Sequence, residues 1–272
     1  MYFSLFLVYL ISHITFDFIF QQDNILKLRF PKDNSIKSIL KGNFIHSFFH
    51  FLGINLFLLG FYLANGQPLE IFNKCILIIT IFHFVIDCLK SGLILKKPWL
   101  KEDVIIFLLD QFLHLLVIIS VFILCEDMKF KEGLIKLLNY RTSFTSMDRF
   151  LAIVLIILIC TNVTGIFIKV LIRSLTSKKY IKARKNNIYI PIKNDNTGAE
   201  NGGLIIGILE RSFILLIMAI NQAPLIGFVL ATKSIARFKK LEDESFAEYF
   251  IIGTFISFII AMIGGKLIYT LL

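Results

Sequence analysis

The sequence predicts an all-α integral membrane protein, a polytopic bundle of about eight transmembrane helices. Two observations lead there. Hydrophobic residues make up 57% of the 272 residues, well above an ordinary soluble chain. They also fall in long runs rather than in the strict alternation of half-buried strands. A run of about 18 or more apolar residues is long enough to cross the hydrocarbon core as a helix. Inside lipid the backbone must satisfy its own hydrogen bonds, so such a run has to be helical.

The first run, Met1 to Phe20, lacks a basic leader and a small-residue cleavage site, so it reads as a retained helix rather than a signal peptide. The second, third and fourth cover roughly Asn43 to Leu63, Glu70 to Leu89 and Asp103 to Leu124. Together, residues 1–124 form the expected four-helix membrane bundle. Residues 125–148 are polar and read as an extracytoplasmic loop, with an amphipathic stretch at 131–139 suited to the membrane surface. A fifth helix is expected at 149–172 and a basic cytoplasmic linker at 173–202. The C-terminal helices, within 203–272, run from Gly203 to Ile220, Pro224 to Phe238 and Ala247 to Leu271. The turn-like Asn221-Gln222-Ala223-Pro224 joins the first two, and the middle one is short for a full crossing.

Orientation follows the positive-inside rule. Lys27, Arg29, Lys32, Lys37 and Lys41 follow helix 1; Lys90, Lys96, Lys97 and Lys101 follow helix 3. The linker and the Arg237-Phe238-Lys239-Lys240 loop add more on the same side. The basic side is therefore expected to face the cytoplasm of a bacterial inner membrane, with both termini outside. The net charge of +10 has this topological explanation, and no compact basic domain points to nucleic acid. Membrane lipids are the expected partners; oligomeric state leaves no signature. Cys75, Cys88, Cys125 and Cys160 show no metal-binding spacing and read as buried thiols.

The chemistry sits in the histidines. There are five, and each belongs to an i, i+4 pair: His13–Asp17, His46–His50, His83–Asp87 and Asp110–His114. Residues four apart share one helix face about 6 Å apart along the axis. Two side chains of one helix reach a common metal with that spacing. The pairs fall on the first four helices in turn, at the end, the start, the end and the first half. Because helices alternate in direction, all four pairs lie at one depth, in the cytoplasmic half. Five His and three Asp can thus be aimed at one level of a bundle core, as in metal sites built between helices. A hydrogen-bonded polar cluster without metal is the competing reading. Eight candidates exceed one closed zinc site, so either two metals bind or some members orient the others. Mixed His/Asp ligation suits a divalent transition metal, zinc first, then manganese or iron. Gln21, Gln22 and Gln111 flank the set.

The second half has its own polar residues. Glu210 and Arg211 lie inside helix 6, and adjacent positions diverge by about 100°, so the two should not simply pair. Lys233 and Arg237 form a basic i, i+4 pair, and Glu248 opens the last helix. Arginine suits planar recognition of phosphate or carboxylate.

The runs His13-xxx-Asp17-Phe18-xx-Gln21, His46-xxx-His50, His83-Phe84-xx-Asp87-xx-Lys90 and Asp110-Gln111-xx-His114 resemble a family of bacterial integral membrane proteins of unknown function. Leu209-Glu210-Arg211, Lys233-Ser234-xx-Arg237-Phe238 and Glu248-Tyr249-xxx-Gly253-Thr254 resemble its second half. More distantly, the intramembrane His/Asp motifs are similar to membrane-bound metal-dependent hydrolases. The expected function is a metal-dependent hydrolase acting on an amphipathic, phosphate-bearing lipid at the cytoplasmic leaflet. In that scheme Asp17, Asp87 or Asp110 acts as general base, Glu210 and Arg211 face the same cavity as the cluster, and Arg211, with Lys233 and Arg237, holds the anionic headgroup; Glu210, Arg211, Lys233 and Arg237 are the candidate substrate-binding residues. A di-iron lipid oxidoreductase, a divalent-metal transporter and a non-enzymatic membrane protein are the alternatives.

Overall fold

The computed structural model describes residues 2–21, 23–31, 35–66, 72–138, 144–185 and 202–272. Among these residues every regular element is helical. Helix α1 (Tyr2–Ile14) runs into a π turn (Thr15–Ile19), and a short helix α2 (Asp23–Arg29) follows. The long helices α3 (Ile36–Asn65), α4 (Phe72–Lys96) and α5 (Val104–Leu138) come next, then α6 (Ser146–Leu158). A second π turn (Ile159–Val163) leads into α7 (Thr164–Lys185). Helices α8 (Gly202–Ala219), α9 (Ile226–Ala236) and α10 (Glu244–Leu271) complete the chain.

Among the described residues six helical stretches have the length and apolarity to cross a membrane, and α1 and α2, bent by 87°, reach that length only as a pair. Large apolar side chains point outward along them: Leu56 is 65% exposed and Phe112 55%. In water such rows would be an aggregation hazard; in lipid they are the solvated face. The chain is a multi-pass helical membrane protein. The remaining expected crossing is α9, whose eleven residues rise only about 17 Å. Short 3₁₀ turns at Ala223–Leu225 and Phe238–Glu242 flank it.

Helix ends follow local chemistry. The second helix starts at Ile36, seven residues earlier than the apolar run, because Ser35 caps it by accepting from the Ser38 N–H. It ends at Gly66, whose φ of +65° suits the left-handed cap. Thr145 and Asp148 form a reciprocal capping box at the start of α6. The Ser4 hydroxyl donates to the same Asp148 carboxylate at 2.6 Å, tying α1 to this cap. Residues 131–138 continue α5, so the stretch expected to form a separate surface helix is the end of a longer one. Likewise α7 takes in 173–185 of the expected linker, whose remainder, 186–201, lies outside the described residues.

The chain divides into two compact units, residues 1–101 with 105–155 and residues 102–104 with 156–272. In the first, α1, α2 and α4 all pack on α3. In the second, α8 packs on α10, with Ile214, Ile217, Val229, Phe258 and Ala261 buried at its core.

Close approach of α2 to α3 depends on Gly42. A Cβ there would meet the backbone of Leu28 and Arg29 within about 2.8 Å. Gly42→Val should therefore push α2 off α3, an overpacking effect of about 1–3 kcal/mol. Ile25 of α2 is buried, so a cysteine placed there in an otherwise cysteine-free chain reports the displacement. We expect it to resist a maleimide in the parent and to react once Gly42→Val is added; equal protection in both would show that α2 does not need the glycine.

Candidate metal centre

Four helices of the first unit bring the His/Asp pairs together. His13 ends α1, and the π turn that follows carries Asp17 inward; single π turns of this kind recur at functional sites. Phe16 occupies the space beside Gly53 of α3, where a Cβ would collide with its ring. Asp17 Oδ1 then lies 3.0 Å from His46 Nε2, 3.1 Å from His50 Nε2 and 4.0 Å from His83 Nε2. Its Oδ2 accepts from the Gln111 amide at 3.1 Å and sits 3.6 Å from His13 Nε2. Asp87 Oδ2 lies 3.3 Å from His83 Nε2 and 3.6 Å from His46 Nε2. The His83 ring centre is 4.0 Å from that of His50 and 4.3 Å from that of His114. All five histidines are at least nine-tenths buried.

Two overlapping sets have ligand atoms within 4.8 Å of one another: Asp17, His46, His50 and His83, and His83, Asp87 and His114. Ligand atoms bonded to one tetrahedral zinc lie about 3.4 Å apart, so small side-chain adjustments suffice in each set. The polar atoms between them lack other work. His13 Nε2, His83 Nε2, His114 Nε2 and Asp87 Oδ2 are buried and have no hydrogen-bond partner among the described residues. For His114 the tautomer is decided, because Nδ1 contacts the Asp110 carbonyl at 2.8 Å, a group that can only accept. Nδ1 must carry a proton, so in the neutral ring Nε2 is the nitrogen that offers a lone pair. Buried lone pairs gathered without donors are costly unless a cation meets them.

Electrostatics point the same way. Asp87 is paired with Arg29 at 2.5 Å and Asp110 with Lys90 at 2.6 Å. Among the described residues Asp17 touches only imidazoles and the Gln111 amide, with no permanently charged side chain to balance it. The residues present thus fit a divalent ion. Asp110 is in neither set: Lys90 and Gln111 take its Oδ2, His114 takes its carbonyl, an orienting role, and its Oδ1 is buried without a hydrogen-bond partner among the described residues.

Arg29, Lys90 and Asn43 join the centre although their sequence positions suggested otherwise. Arg29 is read from sequence as one more topogenic loop cation. It is 2% exposed, and besides Asp87 its Nε donates to Asn43 Oδ1 at 2.8 Å. Asn43 in turn donates to Ser91 Oγ at 3.1 Å. The available signal was spacing: Asn43 precedes His46 by three residues and Lys90 follows Asp87 by three, one helical turn in each case. Arg29 had no such signal. Of the flanking glutamines, Gln111 joins the centre, Gln21 lines a shallow cavity with Asp23 and Lys27, and Gln22 lies outside the described residues.

In the second unit Glu210, Arg211, Lys233 and Arg237 line one cavity of about 480 Å³, all of whose lining residues belong to that unit. Glu210 pairs with Lys233 at 2.6 Å rather than with its neighbour Arg211. Arg211 donates from Nη2 to the Thr161 carbonyl at 2.7 Å and from Nη1 to Ser257 Oγ at 3.3 Å. Glu248 is exposed. Cys75 and Cys160 are buried and Cys88 is half-buried; the side chain of Cys125 lies outside the description.

Fold and site together define a class: multi-pass helical membrane proteins with a His/Asp cluster buried between four helices. The chain belongs to the family described as protein of unknown function (DUF3307), whose model matches residues 5–145. That match takes in all four His/Asp pairs and ends before the Glu210–Arg211 and Lys233–Arg237 motifs. No curated protein and no solved structure matches the chain.

Proposed function

We propose that the chain is a metal-dependent hydrolase of the bacterial inner membrane, acting on an amphipathic, phosphate-bearing substrate at the cytoplasmic leaflet. One observation supports this above the others. Six His and Asp side chains form two overlapping sets of candidate ligands, and at this centre His13 Nε2, His83 Nε2, His114 Nε2 and Asp87 Oδ2 are buried without a hydrogen-bond partner among the described residues. Asp17, His46, His50 and His83 would hold one zinc-class ion; His83, Asp87 and His114, with His13 alongside, are the alternative set, since the one Nε2 lone pair of His83 serves a single ion at a time. Such an ion polarises the scissile group and lowers the pKa of a bound water. Asp17 is the favoured general base, since Arg29 and Lys90 occupy the other two carboxylates. Its Oδ1 faces the α3 imidazoles and its Oδ2 the Gln111 amide, so it can ligate through one oxygen and take a proton on the other. The basic loops favour the cytoplasmic side for this end of the bundle.

The test is metal analysis of the purified protein joined to hydrolysis of lipid phosphates in detergent micelles. We expect one transition-metal ion per chain. Activity should be lost on chelation and restored by zinc, and Asp17→Asn should lose turnover by at least about 100-fold. Two irons per chain without hydrolysis would move the assignment to a di-iron oxidoreductase. A metal-free, inactive protein would leave the cluster a polar core.

A further inference from the structure

We infer that the second unit binds an acidic membrane lipid, holding the anionic headgroup at Arg211, Lys233 and Arg237. The cavity is lined by four cations, the fourth being Lys169, against the single carboxylate of Glu210. That carboxylate is engaged by Lys233. Arg211 is 3% exposed, yet its partners are neutral, a carbonyl and a hydroxyl, and its Nε has none among the described residues. Glu210 attracts it through space but is in direct contact with Lys233, so the buried guanidinium has no ion pair of its own among the described residues, an expensive arrangement within a membrane helix.

Its position is also built for. A Cβ at Gly165 would lie 2.7 Å from Arg211 Nη2, and one at Gly207 2.9 Å from Nη1. Two glycines thus leave a slot that the planar fork fills, and the fork is the geometry that recognises phosphate or carboxylate oxygens. Much of the remaining wall is apolar, with Ile168, Ile172, Phe246 and Phe250, beside the polar Tyr249, Thr254 and Ser257. A free anion would use the cations alone. A lipid would use both, its charged group against Arg211 and its chain along the apolar wall, which adds burial of hydrocarbon to the charged contacts. The competing account makes Arg211 a clamp only, joining the π turn at Thr161 to α8 and α10.

Full-length protein in nanodiscs of equal phosphatidylglycerol and phosphatidylcholine tests this, with retained lipid counted by native mass spectrometry after extraction. We expect phosphatidylglycerol to be retained over phosphatidylcholine by about tenfold, the worth of one charge-assisted contact. Lys169 is exposed and Arg237 half-buried, so the double variant Lys169→Gln/Arg237→Gln should fold and bring the ratio toward one. Arg211→Lys keeps the charge and loses the fork, and should lower the ratio too. No preference in the parent, or an unchanged ratio in the folded double variant, overturns the proposal and leaves Arg211 a clamp. Displacement of the lipid by millimolar inorganic phosphate overturns it as well, in favour of a free-anion site; resistance to phosphate supports it.

Discussion

His83→Ala is expected to strip the protein of metal. His83 is the one residue common to both ligand sets, and its Nε2 lies near Asp17 Oδ1 and Asp87 Oδ2 together. Removing it takes a ligand from whichever of the two sets holds the ion. Groups that merely orient a ligand cost about 10–100-fold in affinity when lost, so a shared ligand should cost at least about 100-fold. Metal content measured against a series of competing chelators reads this directly. Asp110→Asn is the useful contrast. Asp110 is in neither set and keeps its backbone contact to His114 whatever its side chain, so its effect should be the smaller. Equal metal content in the parent, His83→Ala and His50→Ala/His83→Ala would return the cluster to a hydrogen-bonded core without metal.

The second large effect belongs to Arg29. In metal-free protein, Arg29→Met leaves the Asp87 carboxylate buried with only imidazoles for company. Breaking a buried pair from one side costs about 3–5 kcal/mol, chiefly because the remaining charge is uncompensated. The thermal midpoint in detergent should fall by roughly 10 °C. Removing both charges, Arg29→Met/Asp87→Leu, should recover much of that loss, since neither partner is then stranded. A double variant as unstable as the single would show that Arg29 acts through packing of α2 and not through its charge. A single variant as stable as the parent would mean that Asp87 does not depend on this cation at all.

These two residues mark where sequence reasoning reached and where it stopped. His83 was legible because helix geometry is local. A four-residue spacing fixes a shared face whatever surrounds it, and the alternating direction of successive spans fixes a shared depth. The same logic covers all four pairs, and the structure gathers them. It also separates Glu210 from Arg211, since a helix turns adjacent residues apart; the Glu210–Lys233 pair bears that out.

Arg29 was not legible, because its role comes from two non-local facts. The chain bends by 87° between α1 and α2, and Gly42 lets the α2 backbone settle on α3. Neither a bend nor a close approach leaves a period in the sequence. A cation in a loop has the same composition whether it faces water or folds back onto a carboxylate, so only the contact distinguishes them.

The sequence by itself determined the helical membrane class, the four His/Asp pairs and their common level, because each follows from run length, spacing and direction along one chain. Tertiary structure alone decided which carboxylates are already neutralised. Arg29 and Lys90 take Asp87 and Asp110 and leave Asp17 among imidazoles. The physical reason is range. Helical periodicity is set by backbone hydrogen bonds four residues apart, whereas charge compensation is set by which side chains packing brings within about 3 Å, across 58 residues for Arg29 and Asp87.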